Sequence, residues 1–89
     1  IGDLVALTEL AKGRYTVVEE TVKTGHRVRG MTLGEVILPE NCLISGIIRE
    51  GILLAAQPEL VILAGDMMVG ICASGMVDEL SEILEKELN

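Results

Sequence analysis

From Tyr15 onward the chain alternates short runs of β-branched and aliphatic residues with Gly, Pro and charged breaks. Residues 15–22 are rich in Val and Thr and read as a strand with a charged, exposed end. Residues 42–49 are apolar on both alternating sets, the pattern of a strand covered on two faces. Glu50 and Gly51 supply a tight turn into residues 52–56, because Gly takes φ > 0 without steric cost, so these two runs predict a hairpin. Pro58 ends it. Residues 60–63 then lead to a turn at Gly65 and Asp66 and to a further strand over residues 67–73.

Three segments carry helical spacing instead. Leu4, Leu7 and Ala11 recur at three and four, a face closed by Gly13, and predict a short helix over residues 3–10. Thr32 and Glu35 form a capping box with Met31 and Val36 as its staple, predicting a helix from Leu33 to about Leu38 that Pro39 stops. Ser74 stands where an N-cap is wanted, with Asp78 and Glu79 near the positive end of the final helix. Met76, Leu80, Ile83, Leu84 and Leu88 stripe that helix. Residues 23–30, with Gly25 and Gly30, read as a loop.

The order strand, short helix, three or four strands, helix predicts an α+β sandwich: one small, mostly antiparallel sheet with helices on one face. An 89-residue chain supports a single core. The other sheet face is also apolar, and left bare it would exceed the few hundred Å² usual on a monomer. The simplest cover is a second copy related by two-fold symmetry, a homodimer.

Composition narrows the function. A net charge of −7 and a single aromatic residue oppose nucleic-acid binding, which needs cationic surface and stacking rings. The longest apolar stretch, residues 60–73, is shorter than a span of about 20 residues and is broken by Gly65 and Asp66, so direct membrane insertion is not expected. Cys42 and Cys72 lie far apart in apolar runs and read as reduced core residues of a cytoplasmic protein. The chain begins at Ile1 rather than Met, and we expect a piece of a longer protein.

Arg49 is the one Lys or Arg between Gly30 and Glu85, which makes it the best single candidate for an anion contact; the plainer reading pairs it with Glu50, Asp66 or another carboxylate. Asp66 reads as turn chemistry. His26 with Lys23, Arg27 and Arg29 is either an anion or acidic-surface contact or, more plainly, a solvated basic loop. Met67, Met68 and Met76 read as core fillers. Neither Cys has a His close in sequence, Ser74 lacks a nucleophile-elbow context, and one His without a paired acid leaves little for acid–base work. An enzyme is not expected.

The features from Tyr15 to the end resemble the C-terminal domain of TrkA-type potassium-transport proteins, the C-lobe of the RCK (regulator of potassium conductance) module. The resemblance rests on Glu20 and Val22 in a Glu-rich strand, the Leu38-Pro39 stop, and Ile47, Ile48, Arg49 and Gly51 as strand and turn. Pro58 and then Leu63, Gly65 and Asp66 before an apolar strand complete it. It implies that residues 14–89 are a dimeric, non-enzymatic, cytoplasmic regulatory domain, and residues 1–13 a remnant of an upstream linker or helix. Such a domain follows a nucleotide-binding Rossmann lobe and helps gate a membrane potassium channel or transporter. No Gly-x-Gly-x-x-Gly run follows a strand here, so no NAD or ATP is assigned to this stretch. Some relatives bind cyclic di-AMP between two C-lobes, and the positions matching that pattern are Ile44, Ile47, Ile48, Arg49 and Pro58, with apolar strand residues under the bases and the guanidinium on phosphate. The alternatives are a ligand-free dimerisation module, or the same domain regulating an anion or amino-acid transporter or a cation/proton antiporter.

Overall fold

The computed structural model describes residues 4–88. Five strands form one antiparallel sheet: β1 (Val5–Leu10), β2 (Tyr15–Thr21), β3 (Cys42–Arg49), β4 (Ile52–Ala55) and β5 (Met67–Ala73), in the spatial order β1-β2-β5-β3-β4. The one α-helix among the described residues, α1 (Val77–Glu85), follows β5 after a 3-10 turn at Ser74–Met76. The last strand in sequence is central because the long excursion between β2 and β3 leaves a slot that β5 fills, pairing with β2 on one side and β3 on the other.

Residue pairs across the ladders sort the sheet into two faces. Thr16, Val18 and Glu20 of β2, Met68, Gly70 and Cys72 of β5, and Cys42, Ile44 and Ile47 of β3 point to one side. There α1 lays Leu80 and Leu84 over them, and the loops contribute Val22, Val28, Val36 and Ile62 to the same buried cluster. Each fully buried aliphatic side chain contributes roughly 1.5–3 kcal/mol, so this layer holds the fold.

The predicted fold class stands in its sheet and in its C-terminal helix, while three local expectations are corrected. Residues 5–10 form an edge strand, not a helix. Leu4, Leu7 and Ala11 stand at helical spacing, but a helix this short is marginal on local preference alone, and pairing of β1 with β2 through the turn at Ala11 to Gly13 decides the matter. The helix expected up to Leu38 shrinks to one 3-10 turn, Leu33–Glu35. Glu35 Oε1 does accept from the Thr32 amide at 2.9 Å. However, Leu33 and Gly34 give their amides to Leu60 and Pro58, and the residue before Pro39 is driven toward extended backbone. Ser74 does not cap α1: its hydroxyl donates to the Gly13 carbonyl at 2.7 Å and lies 2.7 Å from Thr16 Oγ1, pinning the end of β5 to the start of β2.

The hairpin between β3 and β4 turns at Glu50 and Gly51, both with positive φ (51° and 80°), the two-residue turn whose twist matches the strands. Gly46, at the bulge where the β3–β5 register shifts, has no room for a side chain, since an added Cβ would stand 2.7 Å from the Leu54 carbonyl oxygen.

Candidate functional site

Two surfaces are candidates, and the sheet builds both. The first is the face opposite α1. Its rows run Thr8-Val17-Ile71-Leu43, Val5-Glu19-Val69-Gly46-Ala55, Thr21-Met67-Ile48-Leu53 and Leu10-Tyr15-Ala73. Apart from Thr8, Thr21, the carboxylate of Glu19 and the Tyr15 hydroxyl, this layer is apolar, and no helix among the described residues covers it. Leu53 at 68 % and Leu43 at 50 % exposure stand in it. Strands β2 and β5 alternate buried and half-buried residues along their length, so their outer side chains are screened only by one another.

The second is a hollow of about 300 Å³ beside the start of β3, where Leu33, Gly34, Leu38, Cys42, Leu43 and Ile44 meet Ala56, Gln57 and Pro58. The Pro58 carbonyl accepts from the Gly34 amide at 2.9 Å, which fixes the rim.

Of the five residues singled out in the sequence, the structure brings Ile44 and Pro58 together in this hollow and leaves the others apart. Ile47 is fully buried under α1's side of the sheet, so no ligand reaches it in this conformation. Ile48 lies on the open face, next to Met67 and Leu53. Arg49 is not a free cation: its Nε and Nη2 donate to Asp66 Oδ1 and Oδ2, each at 2.8 Å, and Nη2 also donates to the Val61 carbonyl at 2.7 Å. The Arg49 bonds hold the Asp66 carboxyl below the usual carboxylate range against the upward push of burial, helped by the Leu63 amide. The plainer reading of Arg49 is therefore the geometric one, and Asp66 combines a turn role with a buried ion pair.

Sequence reasoning also missed the state of His26. It is buried, not solvated: its Nδ1 accepts from the Lys23 amide at 3.1 Å, and the loop around it closes on the chain end through Arg27 to Lys86 and Leu88 to Gly25 backbone bonds at 2.8 Å. The clue was available in the apolar Val28 two positions on, which carries the core into this loop. Among the described residues no group of three His, Cys, Asp or Glu could hold a metal ion, and no helix is long and apolar enough to cross a membrane.

One face of the sheet is layered by α1 and the other is bare, and Arg49 is spent on its ion pair with Asp66. The chain belongs to the TrkA-C domain family, whose profile matches residues 17–85. Domains of this family are regulatory, not enzymes. No curated protein matches the chain. Among solved structures it is similar to the GsuK RCK domain (TM-score 0.80, 20% identity, 99% of this chain and 19% of that one). It is also similar to the GsuK channel (TM-score 0.80, 21% identity, 99% and 16%). A third is an RCK domain solved with cda (TM-score 0.62, 20% identity, 78% and 97%). The chain thus spans less than a fifth of the two GsuK chains it matches.

Proposed function

We propose that this chain is a cytoplasmic regulatory domain of a potassium channel or transporter, attached through an upstream Rossmann lobe and working as a homodimer. The observation that carries this reading is the open apolar sheet face. Family membership and the likeness to RCK domains of a potassium channel support the rest. Two copies meeting through that face remove both from water at roughly 25 cal/mol per Å². A ligand or a rearrangement at the join that favours one relation of the two protomers then biases whatever is attached to them. Light scattering tests it: the chain runs at twice its 9.5 kDa mass at micromolar concentration, and a clean monomer there defeats the reading.

A second reading adds a ligand, cyclic di-AMP, on the strength of the apolar hollow at Ile44 and Pro58 and of the similar RCK domain solved with cda. With Arg49 committed to Asp66, adenine packing rather than a guanidinium contact carries the expectation. Calorimetry with cyclic di-AMP gives binding heat with the native chain and roughly tenfold weaker binding, about 1.4 kcal/mol, with Ile44→Ala. Silence from the native chain leaves the ligand-free dimerisation module.

A further inference from the structure

Cys42 and Cys72 are thirty positions apart in sequence and directly opposite each other in space. They are registered partners on the adjacent antiparallel strands β3 and β5. Both are free thiols. The neighbouring pair, Asn41 and Ala73, is joined by a backbone bond from the Ala73 amide to the Asn41 carbonyl at 2.9 Å. In an antiparallel ladder the pair next to a bonded pair is a non-bonded one, where the Cα atoms approach to about 4.5 Å and the side chains are at their closest. That falls within the Cα separations that disulfides span, roughly 4.4–6.8 Å. Both side chains leave the sheet on the same side, Cys72 wholly buried in the core cluster and Cys42 packed against it with part of its surface in the hollow.

The geometry points to a two-electron redox site: Cys42 and Cys72 form a cross-strand dithiol that a low-molecular-weight disulfide converts to an intramolecular disulfide. The two thiols differ in access, which sets the order of events. Cys42, the reachable one, loses its proton and attacks one sulfur of the reagent, forming a mixed disulfide at Cys42 and expelling one reagent thiolate, which takes up a proton. Cys72 then loses its proton and attacks Cys42 Sγ, forming the Cys42–Cys72 bond and expelling the second reagent thiol. The protein loses two electrons and two protons, and the reagent disulfide gains them as two thiols. Burial pushes the Cys42 thiol up, and Cys72 beside it adds to the push; burial likewise raises Cys72. The reduced pair is therefore quiet at neutral pH and quickens in alkali, because the thiolate is the attacking form. The bond ties β3 to β5 directly beneath the face on which α1 packs.

The test uses the native, reduced chain with excess glutathione disulfide at mildly alkaline pH, quenched in acid and read by intact mass and non-reducing peptide mapping. The expected product is a chain lighter by two hydrogens, carrying no glutathione, with residue 42 linked to residue 72 and a higher melting temperature that dithiothreitol reverses. Cys72→Ser should stop at one glutathione adduct on Cys42, and Cys42→Ser should react far more slowly than the native chain. A native chain that halts at the Cys42 adduct, links only between chains, or forms the internal bond solely in denaturant overturns the proposal.

Discussion

Asp66→Ala should be among the most damaging single substitutions outside the aliphatic core, lowering stability by about 3 kcal/mol. Asp66 is 1 % exposed and accepts three bonds, two from Arg49 and one from the Leu63 amide. Removing it strands a guanidinium and an amide together. Breaking a buried pair costs roughly 3–5 kcal/mol, and the low end applies because the Arg49 side chain keeps 28 % of its surface in water. In a domain of this size that corresponds to a fall in melting temperature on the order of 15 °C. Arg49→Ala should cost a similar amount, and the double variant less than the sum, since both delete the same bonds.

The pair also fixes a pH signature. The Asp66 carboxyl is held below its unfolded value of about 3.9, so its contribution is complete above that value and is lost as pH falls through the folded one. The melting temperature of the native chain should therefore drop more steeply below about pH 4 than that of Asp66→Asn. Equal slopes, or a stability loss under about 0.5 kcal/mol for Asp66→Ala, would remove the ion pair from the account.

What the sequence disclosed and what it hid divide along physical lines. Strands β3 and β5 were legible to the residue because their aliphatic runs are bounded by turn formers that allow little else, Glu50 and Gly51 at one end of β3 and Gly65 and Asp66 before β5. The bareness of the second sheet face was legible for a related reason: Val17, Val69, Ile71 and Ile48 occupy the alternate positions that a solvated face would fill with polar groups. Strand β1 was not legible, since Leu4, Leu7 and Leu10 at three-residue spacing imitate a helical face, and the irregularity between Ala6 and Thr8 that breaks strand alternation is set only by pairing with β2. The ligand candidates fared unevenly because adjacency in a strand sends neighbours to opposite faces: Ile47 and Ile48 could never share one pocket on one side of the sheet. Arg49 and Asp66, and Cys42 and Cys72, are joined by register, and register depends on which strand enters the central slot.

Aspartate at position 47 and aspartate at position 71 should fail in different ways. Ile47 is fully buried in the core on the side of the sheet that carries α1, opposite Met68. Ile47→Asp places a carboxylate there without a partner, at a cost of several kcal/mol, comparable with the roughly 5–15 kcal/mol that holds a domain together. The expected result is a chain without cooperative melting. Ile71 lies on the open face between Val17 and Leu43. In an isolated protomer a carboxylate there reaches water, so Ile71→Asp should fold, with a modest loss in melting temperature. It is in the dimer that the charge would be buried against its symmetry mate or an apolar neighbour. Circular dichroism should therefore report a folded Ile71→Asp, and light scattering should report it as a monomer at concentrations where the native chain is paired. A folded, paired Ile71→Asp would mean that the protomers join elsewhere, at an edge of the sheet or across α1. A normally melting Ile47→Asp would mean that β3 presents its other face to the core, and the assignment of both faces would be reversed with it.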